Sequence, residues 1–168
     1  LFLRRVGVTL VVSLAIPISV VATFNLMYFG DLTLNLMTLG GLALGAGMLV
    51  DNAIVVVESI FRRLEQGDTP AEAAARGTGD VGGAITSSTL TTIIVFLPIV
   101  YLHGAAGALF REQAWTVAFS LLSSLFVALV VIPMLCSRLL TASRPMPVQQ
   151  THSFYGRVLT DLLARRWA

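Results

Sequence analysis

The 168-residue sequence is poor in charge, contains no lysine and has one cysteine. Each shortage removes a class of protein. Charged residues make up only 12% of the chain, against 56% hydrophobic. A soluble domain carries roughly twice that share of charge, so a water-soluble globule is excluded. The lone Cys136 cannot form an intrachain disulfide, and its place near the end of an apolar run gives it a packing role. Met27, Met37, Met48, Met134 and Met146 are scattered, which argues against metal export, and no metal-ligand set stands out. No basic stripe with interleaved aromatics is present, so nucleic-acid binding is not expected.

What the chain does have is length without polarity. Four runs reach the roughly 20 residues that a helix needs to cross a bilayer: Val6–Phe29, Leu34–Phe61, Ala84–Leu102 and Ala114–Leu140. The first is too long for a signal peptide, and no small-residue cleavage site follows it. The sequence therefore predicts an all-α membrane protein, a four-span helical bundle within residues 1–140. The chain starts with Leu and stops just after a basic segment, so a piece of a larger membrane protein is expected.

The arginines set the orientation. Arg4 and Arg5 precede the first span, and Arg62, Arg63 and Arg76 lie between the second and third. Arg138, Arg144, Arg157, Arg165 and Arg166 follow the fourth, and Arg111 alone falls on the opposite side. The positive-inside rule then makes both ends and the middle loop cytoplasmic.

The connections carry further expectations. Gly30–Thr33 reads as a tight outer turn that makes the first two spans an antiparallel hairpin, and His103–Glu112 as a flexible, glycine-rich outer link. Thr69-Pro70-Ala71-Glu72 is a capping box with proline at the first helical position. It would open one short helix through Arg76, stopped at Gly77. Residues 141–150, with Pro145 and Pro147, read as a linker. In residues 151–168, Phe154, Tyr155, Val158, Leu159, Leu162 and Leu163 recur at helical spacing beside Arg157, Asp161, Arg165 and Arg166. That pattern gives a cytoplasmic amphipathic helix lying on the membrane surface, or one packed on another protein surface.

The residue most in need of an explanation is Asp51, set within Leu42–Val57, where every neighbour but Asn52 is apolar or glycine. It lies eleven residues ahead of Arg62, roughly 16 Å along a helix axis. Half of a ~30 Å hydrocarbon core is about 15 Å, so Asp51 stands near the bilayer midplane. An aspartate there costs about 2.5 to 3.5 kcal/mol. Intramembrane acids of this kind usually bind and release an ion, most often a proton. A structural polar contact to a neighbouring helix is the plainer alternative.

Neighbouring residues leave more than one reading. Asn52 either orients the carboxylate or hydrogen-bonds across helices. Glu58 lies two turns from Asp51 on the same face, where it forms an i,i+4 pair with Arg62 or serves as a proton exit. Gly41 and Gly45 have the small-xxx-small spacing of close helix contacts, and Gly40 and Gly47 add to the flexibility of this stretch. Thr86, Ser87, Ser88, Thr89, Thr91 and Thr92 either bond back to their own helix or line a hydrated path beside Asp51. Pro17, Pro98 and Pro133 each loosen a span.

Gly47–Ser59 (GMLVDNAIVVVES) resembles the fourth transmembrane helix of resistance–nodulation–division (RND) efflux transporters, closest to the acriflavine-resistance type. Leu1–Arg5, Ile16-Pro17 and Leu34–Gly41 resemble the preceding helix pair. Thr86–Thr92 with Phe96-Leu97-Pro98 resembles the fifth helix, and Ile132–Cys136 the end of the sixth. The resemblance covers nearly the whole chain in order. It implies helices three to six of about twelve in a homotrimeric pump of the bacterial inner membrane. Such a pump exports drugs or amphiphiles in exchange for protons, with no other cofactor. In a Gram-negative cell it would work with a periplasmic adaptor and an outer-membrane channel.

The family's drug pumps share the proton between two adjacent aspartates. Here Asp51 matches the first and Asn52 replaces the second. The family's partner lysine, in the tenth helix, and its substrate-selecting periplasmic domains lie outside this sequence. Two rival readings have a basis in the residues. One is a non-transporting scaffold or sensor with RND-like helices. The other is an intramembrane aspartyl protease, because Gly77-Thr78-Gly79-Asp80 matches the Gly-x-Gly-Asp string of that class.

Overall fold

The computed structural model describes residues 6–139. The expected linker and amphipathic helix, and Arg4, Arg5, Arg144, Arg157, Arg165 and Arg166, lie outside the described residues. The described chain is helical, with no strand among its residues. Helix α1 runs Val6–Phe29, α2 Leu36–Glu65, α3 Pro70–Val100 and α4 Ala105–Phe126. A π-helical turn, Val127–Val131, joins α4 to α5, Ile132–Leu139. Counting α4 through α5 as one span, four helices are long and apolar enough to cross a membrane.

Each helix boundary has a local cause. Asn35 caps α2: its Oδ1 accepts from the Met37 and Thr38 N–H groups at 2.9 and 3.0 Å. Its own N–H donates to Thr38 Oγ1 at 2.8 Å, which closes a reciprocal box. Gly67, at φ 99°, lies in the turn beyond α2. Thr69 and Glu72 form the expected capping box ahead of Pro70. Before α4, Gly104 holds φ 90°, where a side chain would be strained.

Two connections differ from expectation. The third helix does not wait for Ala84. It begins at Pro70 and runs unbroken through Gly77, Gly79, Gly82 and Gly83. Gly77 is no stop signal: a Cβ there would stand 2.7 Å from Ile60 Cα, so glycine is required for α2 and α3 to cross. The glycine-rich link before the last span is also shorter than expected, since α4 already starts at Ala105. Arg111 therefore sits on a helix, and its Nε donates to Val100 O at 3.2 Å, at the end of α3.

Helices α2, α3 and α4 pack against one another, and α1 lies mainly against α4. Nothing in lipid drives apolar helices together as water would, so small residues and polar contacts have to hold them. The apolar core fills the half nearest Arg63 and Arg76. It contains Val56, Val57 and Ile60 of α2, Ile85 of α3, and Val127, Ala128, Ile132 and Cys136 beyond. Cys136 is fully buried there.

The far half is marked by Tyr28, Phe29 and Tyr101, all at least 70% exposed. Such aromatics favour a membrane–water boundary. The π-turn has a covalent cause close by. The Ile132 N–H reaches back to Val127 O, just before Pro133, whose ring has no N–H and crowds the preceding turn.

Candidate functional site

The site is built along α2, which presents two unlike faces. The face toward α4 carries glycines. At Gly41 a Cβ would stand 3.2 Å from Thr116 Cβ, and at Gly45 it would collide with Ser120. Thr116 and Ser120 are both buried, and the Thr116 hydroxyl donates to its own helix at Glu112 O, 2.8 Å away. The glycines thus let α2 lie directly on a hydroxyl-bearing ridge of α4.

Asn52 continues this seam. Its Nδ2 donates to Thr89 Oγ1 of α3 at 3.5 Å and to Ser124 Oγ of α4 at 3.4 Å. Thr89 is 4% exposed and Ser124 1%. One amide therefore links three helices. The cross-helix hydrogen bonds expected of Asn52 are formed.

Asp51 points elsewhere. One residue along an α-helix is a rotation of about 100°. With Asn52 turned into the seam, the Asp51 side chain is exposed on the outer face of α2. It shares that face with Gly40, Gly47 and Glu58, all exposed. Gly47 takes no part in the glycine contact, since nothing lies within 4 Å of a Cβ placed on it. Asp51 stands midway along α2, between Leu36 and Glu65. An amide does not take up protons at ordinary pH, so Asp51 is the one carboxyl at this level among the described residues.

Glu58 lies on the same face, but the expected pair with Arg62 is not formed among the described residues. Both side chains are exposed, where a flexible ion pair gains little. The neighbouring Arg63 makes the contact instead. Its Nε and Nη2 donate to Asp80 Oδ2 and Oδ1 of α3 at 2.8 and 2.9 Å. This fork clamps α2 to α3 beyond the Gly77–Ile60 crossing.

The hydroxyl run of α3 largely bonds back to its own helix. Thr86 donates to Gly82 O, Ser87 to Gly83 O, Thr91 to Ser87 O and Thr92 to Ser88 O, at 2.8 to 3.0 Å. Only Thr89 turns inward to Asn52. The seam's partners on α4 were not singled out from sequence, although Thr116, Ser120 and Ser124 recur every four residues in an apolar run. Also unforeseen was the lock at the far end, where Glu112 Oε2 accepts from Thr33 Oγ1 at 3.2 Å and from the Asn35 amide.

A family model for AcrB/AcrD/AcrF matches residues 1–166. The chain belongs to the AcrB/AcrD/AcrF family. It is a multi-pass membrane protein of RND permease type, from a family of transporters rather than enzymes. The geometry agrees in removing the protease reading. Asp80 is held by Arg63, twelve residues beyond Asp51 on α2, which is about 18 Å of helix. Two carboxyls so far apart cannot share one scissile bond.

Proposed function

We propose that this AcrB/AcrD/AcrF-family chain is part of the proton-translocating membrane domain of an RND efflux transporter. It would export a drug or other amphiphile in exchange for protons. Asp51 is the proton carrier, Asn52 stands beside it, and Glu58 is the next carboxyl along the same face. The supporting observation is the split between neighbours: Asn52 is tied into the helix seam, while Asp51 is left at mid-span with its side chain outward.

The physics follows from that position. An ionised aspartate facing lipid at mid-depth is disfavoured by about 2.5 to 3.5 kcal/mol. Such a carboxyl either takes a proton or meets a cation. The arginines nearest in sequence among the described residues, Arg62 and Arg63, lie eleven and twelve residues further along α2, about 16 and 18 Å of helix, and Arg63 is engaged with Asp80. The resemblance supplies a candidate in the family's lysine of the tenth helix. Proton uptake at Asp51 would break that pair and let the helices shift, and release to the other side would restore it. One proton crossing 100 mV yields about 2.3 kcal/mol.

The same reading includes a bacterial inner membrane, cytoplasmic ends by the arginine rule and a homotrimer. A periplasmic adaptor and outer-membrane channel would join it in a Gram-negative cell. Protons are the only coupling species and no cofactor is needed. The test is Asp51→Asn in the full-length transporter. Loss of proton-coupled efflux at normal protein level is expected. Retained efflux would sink the proton-carrier role and favour a scaffold.

A further inference from the structure

The seam around Asn52 does more than hold helices together. Asn52 is turned inward, away from the face of Asp51, and its amide is shared between Thr89 and Ser124. Both acceptors are buried, on different helices. Their positions fix the rotation of α2 at this level, and a rotation of α2 carries Asp51 with it. Above the amide, Gly41 and Gly45 lie on Thr116 and Ser120. Below it, Ala53, Val56 and Val57 enter the core. The amide is the polar contact between these two packed stretches.

We propose that Asn52 is a positioning residue for the carboxyl at Asp51. It acts through the Thr89 and Ser124 hydroxyls, which set the direction in which that carboxyl faces. The inference rests on the proton-carrier reading above and adds the residues that tune it. The surroundings offer few other sources of tuning. Glu58 is the next titratable group on α2. The described titratable groups of α3 are Glu72, Arg76 and Asp80, toward the Arg63 end. Those of α4 are Arg111 and Glu112, at the opposite end. Tyr28 on α1 is at that same far end, and Cys136 and Arg138 lie on α5. None of α1, α3, α4 or α5 brings a charge to the level of Asn52.

The test uses the full-length transporter in lipid. The infrared carboxyl band of Asp51 is isolated by subtracting the Asp51→Asn spectrum, and its midpoint is followed with pH. Thr89→Val with Ser124→Ala removes both acceptors. The pH profile of its efflux, and the Asp51 band with it, should be displaced from that of the wild-type transporter. Thr89→Ser with Ser124→Thr keeps both hydroxyls and should restore the wild-type midpoint. If the double variant does not accumulate, the single Thr89→Val and Ser124→Ala proteins are read in the same way. A wild-type midpoint in proteins lacking the hydroxyls overturns the inference alone. A wild-type protein with no titrating Asp51 band overturns the proton-carrier reading and this inference with it.

Discussion

The two faces of α2 are made from the same kinds of residue and end in opposite states. On the seam side, Gly41, Gly45 and Asn52 meet Thr116, Ser120, Thr89 and Ser124. On the outer side, Gly40 and Gly47 have open space around them, and Asp51 and Glu58 are exposed. Glycine is therefore no sign of packing in itself; the partner's small side chain decides. Nor is an intramembrane polar residue always the working group. The amide is engaged in holding the bundle, and the carboxyl of Asp51 is left outside that contact.

The largest test of that division is at Asp51 and Asn52. Asp51→Asn should abolish proton-driven efflux while leaving the amount of folded protein unchanged, because the exposed Asp51 side chain makes no hydrogen bond or ion pair among the described residues. Removing the seam acceptors should instead alter how the site titrates. If Asp51→Asn lowered folded protein as much as efflux, the two faces would not be functionally distinct.

Next in size is the glycine pair. Gly45→Ala drives a methyl into Ser120, and Gly77→Ala drives one to 2.7 Å from the Ile60 backbone. Overpacking of this kind costs about 1 to 3 kcal/mol. Thermal unfolding of the purified transporter in detergent should show both variants melting earlier. Gly47→Ala should melt at the wild-type temperature or above it, since alanine is the better helix former. Equal losses at Gly45 and Gly47 would mean that the outer face is also closely packed in the assembled protein.

These contrasts mark what could be read from the chain. Membrane class and four crossings follow from run length, which needs only local hydropathy. Asp51 stands out because an acid in an apolar run is rare for a physical reason. The Thr69–Glu72 cap was equally local. The choice of faces was not legible. Gly41–Gly45 and Gly40–Gly47 look alike until α4 supplies Thr116 and Ser120 on one side only. Gly77 read as a helix stop because its real cause, the backbone of Ile60, is on another helix. The bidentate partner of Asp80 is likewise distant in sequence, while the local Glu58–Arg62 spacing suggested a pair that is not formed.

A smaller effect is expected at the far end. Glu112→Gln keeps the shape of the lock and one oxygen to accept from Thr33 and Asn35, but removes the charge. Losing a charge-assisted hydrogen bond at this half-buried site should cost about 1 kcal/mol. Hydrogen exchange should report it as faster opening of the α2 N-terminus, with the Asn52 seam protected as before. Loosening that spreads to Asn52 would show that the lock and the seam open as one unit.

The smallest effect separates a clamp from a site. The Arg63 and Asp80 side chains are 33% and 45% exposed, so their Coulomb attraction is screened by water and salt. Exposed pairs contribute about 0.2 to 1 kcal/mol, and Asp80→Asn should shift unfolding within that range, less at high salt. Efflux should be unchanged, because the Gly77–Ile60 crossing holds α2 and α3 together nearby without any charge. An efflux loss as deep as that of Asp51→Asn would mean that Asp80 belongs to the ion path and is more than a clamp between α2 and α3.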